Sequence, residues 1–130
     1  MPKRILVIED DPDARSLIET ILKQAGYDVL LAADGREGLD KTTNESPDLI
    51  ITDIAMPRLD GLRLIQLLRT MPLFRHLPIL AITSFGTERA TEALKAGANR
   101  ALARPVRNEL LLQFVKGLMP DEKPARVNSA

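Results

Sequence analysis

Three short, uninterrupted apolar runs constrain this chain more than any other feature: those within Arg4 to Ile8, Leu49 to Thr52 and Ile79 to Thr83. They are rich in β-branched residues and leave no alternate position for a water-facing side, as in strands covered on both faces of a parallel sheet. Parallel neighbours need long crossovers, and helical patterns lie between the runs. The clearest carries Ala14, Leu17, Ile18, Ile21, Leu22 and Ala25 at steps of three and four, the stripe of an amphipathic helix. Asp11-Pro12 supplies its cap and first turn, and Gly26 its stop. Val29 to Ala32 reads as a further strand and Arg100 to Ala103 as a weaker one. Helices are expected over Asp34 to Thr43, over Asp60 to Arg69 with Asp60 as cap, and over Thr87 to Ala96 closed by Gly97. A last helix spans Arg107 to Gly117, with Leu111, Phe114, Val115 and Leu118 on one side and Leu110 and Leu112 flanking them. Strands alternating with helices in this way imply right-handed βαβ units and a doubly wound α/β domain.

The chain has 130 residues, 45% of them hydrophobic, enough for one domain with a core. That domain is expected to take residues 1–119, because 120–130 carry two prolines and little apolar content and read as a flexible tail or the start of a linker. Eighteen Lys and Arg balance eighteen Asp and Glu, so no global field favours nucleic acid or an anionic membrane. No basic recognition helix is evident either, which speaks against direct nucleic-acid contact. The absence of cysteine excludes a disulfide framework and thiolate zinc sites and suits a reducing compartment. Only four apolar residues, Ile5 to Ile8, precede the acidic run at the N-terminus, too few for a signal peptide or membrane span. A cytoplasmic protein is therefore expected.

Open α/β sheets place their ligands outside the carboxyl ends of the strands. Here those ends carry Glu9-Asp10-Asp11, then Asp53, then Thr83-Ser84, then Arg104-Pro105. Carboxylates crowded into one cleft raise each other's pKa unless a cation sits among them. Mg²⁺ suits Asp10 and Asp53, since it takes one or two carboxylates, keeps several waters and accepts phosphate oxygens. The ion would also offset charge on a transferring phosphoryl group. A carboxylate can attack phosphorus to give an acyl phosphate. Thr83 would then donate a hydrogen bond to the phosphoryl group and Arg104 would pair with it. Two assignments stay open on the residues alone: Asp11 as helix cap or outer-shell metal residue, and Arg104 as phosphate ligand or as a structural partner neutralising Asp53 and Asp10. His76 reads as a surface residue of a proline-bounded loop.

The ordered set Ile5-Leu6-Val7-Ile8-Glu9-Asp10-Asp11, Asp53-Ile54-Ala55-Met56-Pro57 with Asp60-Gly61, Thr83-Ser84 and Arg104-Pro105 resembles a bacterial two-component response-regulator receiver domain over residues 3 to 118. The resemblance implies a flavodoxin-like sheet of order 2-1-3-4-5 and a cis peptide before Pro105. It makes Asp53 the phosphoacceptor, charged by a histidine kinase or histidine phosphotransfer protein. Mg²⁺ would be held by Glu9, Asp10, Asp53 and the backbone carbonyl of Ala55, and Thr83 would signal phosphorylation. Such a chain is not an enzyme beyond slow self-dephosphorylation. Its output would run through another protein or an attached effector domain, and a homodimer is left open.

Two positions depart from the family pattern. Arg104 stands where receivers usually carry lysine, and its planar fork is no substitute for a compact ammonium. Ala101 stands where many have a switching tyrosine or phenylalanine, and a methyl group cannot report a rotamer change. These departures motivate an alternative, a pseudo-receiver binding module acting without phosphate. A phosphohydrolase of the haloacid-dehalogenase type is a third reading, but it would need a DxD motif after the first strand and a lid, where this chain has Glu9-Asp10-Asp11-Pro12.

Overall fold

A computed structural model describes residues 2–56, 59–84 and 87–120. The expected turn at Pro57, the Phe85–Gly86 loop and the tail from 121 onward lie outside those residues. Five parallel strands, β1 (Arg4–Ile8), β2 (Asp28–Ala32), β3 (Leu49–Asp53), β4 (Ile79–Thr83) and β5 (Arg100–Ala103), form one sheet in the order β2-β1-β3-β4-β5. Five helices alternate with them: α1 (Pro12–Gln24), α2 (Gly35–Glu45), α3 (Gly61–Thr70), α4 (Thr87–Ala96) and α5 (Asn108–Leu118). This is the expected flavodoxin-like arrangement.

The two-sided burial that the apolar runs imply is explicit in the packing. Leu6, Ile8, Ile50, Ile79 and Ala81 join Leu64, Ile65 and Leu68 of α3 and Ala93 of α4 in one core. Their strand neighbours Ile5, Val7, Leu49, Ile51, Leu80 and Ile82 join Ile18, Ile21 and Leu22 of α1 and Leu111 and Val115 of α5 in the other. Successive side chains of a strand point to opposite faces, so a strand with a helix layer on each side needs apolar residues at every position. The outer strands are less completely covered. β2 is mostly half-buried and β5 buries only Leu102, which explains the weak signal of Arg100 to Ala103.

Helix ends follow local chemistry. Asp11, Asp34 and Asp60 each accept a hydrogen bond from the backbone N–H three residues on, satisfying donors that a first turn leaves free. Gly26 closes α1 at φ +97°, a conformation that favours glycine. α2 continues to Glu45, two residues past the expected end, where Ser46 adopts φ +50°. A single 3₁₀ turn, Pro72–Phe74, which the sequence did not announce, buries Phe74 below α3. Leu17 departs from the expected stripe. It is 54% exposed, because α1 buries the face of Ile18, Ile21 and Leu22 and leaves Leu17 beside Pro105 and Val106 on a surface groove.

At the amino ends of the strands, Arg69 of α3 ties several segments together. Its guanidinium donates to the carbonyls of Gly97 and Phe74, both at 2.9 Å, and to Asn99 Oδ1 at 3.0 Å. Asn99 Oδ1 also accepts from Ile79 N at 2.9 Å, so one network fixes α3, the start of β4 and the turn into β5. Among the described residues, no helix is long and apolar enough to cross a membrane.

Candidate functional site

The parallel register aligns the carboxyl ends of the strands. Ile8 pairs with Thr52, Asp53 with Ile82 and Thr83 with Ala103, so Glu9, Asp53, Thr83 and Arg104 leave the sheet along one edge.

Glu9 is 2% exposed and held from several sides. Its Oε2 accepts from Asp11 N at 3.1 Å, and its Oε1 from Arg104 Nη2 at 2.5 Å. Arg15, in the first turns of α1, donates to the Glu9 carbonyl at 2.7 Å. The sequence reading missed Arg15, which looks like any polar helix residue. Asp53, also buried, has Oδ2 3.3 Å from the same Arg104 Nη2 and Oδ1 3.4 Å from Ala55 N. Thr52 Oγ1 donates to the Asp53 carbonyl at 2.9 Å, and the Gly61 N–H reaches the Ile54 carbonyl at 3.0 Å. Arg104 is anchored by its own N–H on the Thr83 carbonyl at 3.0 Å, and the Arg104–Pro105 peptide is cis. Among the described residues its ion-pair partners are Glu9 and Asp53; of the two roles left open by the sequence, the structural one named Asp53 and Asp10. The reason is geometric: Glu9 is buried at the strand end, whereas Asp10 is exposed on the loop.

One carboxylate oxygen from each of Glu9, Asp10 and Asp53 lies within 4.8 Å of the others. Adjacent ligands of a Mg²⁺ ion stand about 3.0 Å apart and opposed ones about 4.2 Å, so the three would draw in by up to about 1.8 Å to share one ion directly. The donor set fits a hard cation. Asp11 is not in this group; its Oδ2 caps α1 through Ala14 N at 2.9 Å. His76 is exposed in the loop before β4, at the opposite end of the sheet.

Burial sets the electrostatics. Desolvation lifts the Asp53 carboxyl above the ordinary 3.8, with the Arg104 charge pulling the other way and Asp10 adding to the rise. Glu9 is likewise raised, burial outweighing its hydrogen bond from Arg104. For Arg104 burial acts downward, but the hydrogen bond and charge of Glu9 and the charge of Asp53 together carry its pKa upward. The guanidinium therefore stays charged.

Thr83 is fully buried, and among the described residues its hydroxyl has no hydrogen-bond partner. An unsatisfied buried hydroxyl costs about 1–3 kcal/mol. Thr83→Val is expected to raise stability by about 1 kcal/mol in urea unfolding. A destabilised Thr83→Val protein would mean that the hydroxyl already has a partner.

The model of the response regulator receiver domain matches residues 5–116. The response regulator MprA of Mycobacterium sp. (strain KMS) is 40% identical over 129 residues, which cover 95% of this chain but 55% of MprA. Among solved structures, a putative response regulator from Chloroflexus aurantiacus superposes with a TM-score of 0.90 at 34% identity, over 93% of this chain and all of that one. The chemotaxis response regulator CheY4 of Vibrio cholerae gives 0.86 at 31% identity, over 92% of this chain and again all of the other. With strand order, strand-end residues and similarity agreeing over nearly the whole length, the chain belongs to the response regulator receiver domain family of two-component systems.

Proposed function

We propose that this chain accepts a phosphoryl group on Asp53 from a phosphohistidine of a kinase or phosphotransfer protein and signals by binding another protein or domain. Receiver domains in general are phosphoacceptors that bind Mg²⁺ at an acidic pocket and work with such kinases and with output domains. One observation carries the reading to particular residues here. A buried carboxylate, Asp53, ends β3 while a buried hydroxyl with no partner among the described residues, Thr83, ends the adjacent β4, so a candidate nucleophile and a candidate donor share one strand edge.

In the step proposed, an ionised Asp53 oxygen attacks phosphorus and forms the new O–P bond. The N–P bond breaks, and the donor imidazole leaves with the electron pair and takes up a proton from solvent. Poor hydration makes the Asp53 carboxylate more basic than an exposed one. Thr83 donates to a phosphoryl oxygen, and Arg104 offers its charge to the same group. Glu9, Asp10, Asp53 and the Ala55 carbonyl would hold Mg²⁺, which supplies counter-charge for the carboxylates and the phosphoryl oxygens.

A groove of about 490 Å³ beside Arg104, lined by Leu17, Ile18, Pro105 and Val106 among others, suits the apolar flank of the element presenting the phosphohistidine. The receiver unit is taken as 1–119, acting in the cytoplasm, with 120–130 as a tail or linker. The chain spans 55% of MprA, which makes an effector domain in a longer protein one form the output can take.

Intact-mass spectrometry after incubation with acetyl phosphate tests the proposal. One added phosphoryl group is expected with Mg²⁺ and none with a chelator or in Asp10→Ala. No added mass under any condition would favour the pseudo-receiver, which Ala101, half-buried on β5 with no ring to turn, gives a structural basis.

A further inference from the structure

We infer that Arg104 is a resident counter-cation that competes with Mg²⁺ for the buried carboxylates, so that metal binding requires the guanidinium to let go of Glu9. The inference rests on the proposed metal site and concerns what guards it. A single nitrogen, Arg104 Nη2, reaches both Glu9 Oε1 at 2.5 Å and Asp53 Oδ2 at 3.3 Å, two of the three groups that would ligate the ion. The second Glu9 oxygen is held by Asp11 N–H, so both Glu9 oxygens already have donors. The Glu9 side chain is 3% exposed and that of Asp53 10%, so water screens them poorly and a counter-charge acts strongly there. A dication and a guanidinium on the same oxygens repel, and where water screens so poorly that repulsion sets the two cations in competition for Glu9 and Asp53. Arg104 itself is 31% exposed on its side chain, which gives it somewhere to go. Its backbone stays pinned by the N–H on the Thr83 carbonyl, so only the side chain need move. A released guanidinium would remain at the strand edge, within the same site as an incoming phosphoryl group, where its fork matches phosphate oxygens. Arg104 thus links two events, giving up a carboxylate and becoming available to an anion.

The test is a Mg²⁺ titration without any phosphodonor, so that it is scored apart from phosphorylation of Asp53. Calorimetry should find Mg²⁺ bound at least tenfold more tightly by Arg104→Gln than by the parent. The thermal stability of Arg104→Gln should lie below the parent's without Mg²⁺, because Glu9 is left buried and uncompensated, and the gap should close as Mg²⁺ is added. Should Arg104→Gln fail to fold without metal, the Arg104 Nε–Hε NMR signal of the parent decides: it should shift on adding Mg²⁺, in step with the Glu9 and Asp53 amides. Equal affinities, or an Arg104 signal that stays put while those amides move, would overturn the competition and leave the metal site standing. Failure of both proteins to bind Mg²⁺ would overturn it together with that site.

Discussion

Asp53→Asn is expected to abolish phosphorylation and to make the folded protein more stable at neutral pH. The first effect follows if Asp53 is the acceptor, because an amide oxygen is no nucleophile toward phosphorus under these conditions. The second follows from burial. Desolvation raises the Asp53 pKa above 3.8 despite the opposing charge of Arg104, so the ionised form is disfavoured in the folded state relative to the unfolded one. For a carboxylate raised in this way, the penalty is absent below the unfolded value. It grows as pH rises from the unfolded value to the folded one and is complete above the folded value. Asparagine carries no such penalty, although it forgoes the 3.3 Å ion pair with Arg104. The variant should therefore melt at a higher temperature than the parent at pH 7, and the two should converge as the pH falls below 3.8. A variant less stable than the parent at pH 7 would show that the Arg104 pair outweighs burial. The expected pattern, stability gained where function is lost, is what a charged group held in a buried site for chemistry should give.

Gly61→Ala is expected to be the most destabilising small substitution near the site. A Cβ at Gly61 would lie 2.3 Å from the Asp53 carbonyl oxygen and 2.6 Å from Ile54 Cα. Both are backbone atoms at the strand end, so no side chain can swing aside. The start of α3 must move away, breaking the Gly61 N–H bond to the Ile54 carbonyl and shifting the peptide that carries the acceptor. Overpacking of this kind costs about 1–3 kcal/mol and at times more, and the upper end is expected because backbone meets backbone. Gly117, near the end of α5, has nothing within 4 Å of its missing Cβ. Gly117→Ala should thus stabilise by about 0.5–1 kcal/mol through helix propensity alone. Urea unfolding of the two variants should show shifts of opposite sign, and a Gly61→Ala protein as stable as the parent would contradict the close approach.

The fold was legible where the sequence states its burial. Ile5 to Ile8 and Ile79 to Ile82 alternate between two cores, and no amphipathic strand could supply that run. Legibility fell at the edge, where β5 needs only Leu102 inside and Arg100 spends its length stacked 4.9 Å from the Phe114 ring centroid. It failed for the Arg69 network, because an arginine in the last turn of α3 looks like surface until Gly97, Asn99 and Phe74 are folded around it. At the site, the strand-end rule brought Glu9, Asp53, Thr83 and Arg104 to one edge, as the register shows. It did not give the direction of the Arg104 fork. That direction depends on Glu9 being buried while Asp10 is exposed, a difference of one residue across a strand end that composition does not encode. Nor did it give Arg15 or the contact of Gly61, although an Asp-Gly pair following a strand-end carboxylate marks a place where backbone can approach backbone.

The central claim is that one side chain, Asp53, takes the phosphoryl group, and locating the modified residue tests it most directly. The protein would be charged with acetyl phosphate and Mg²⁺ and reduced with borohydride, which converts an aspartyl phosphate to homoserine. The site would then be read by tandem mass spectrometry of the peptides. The account predicts homoserine at position 53 alone, dependent on Mg²⁺; conversion at Asp10 or any other position, or none in folded, metal-loaded protein, would contradict it.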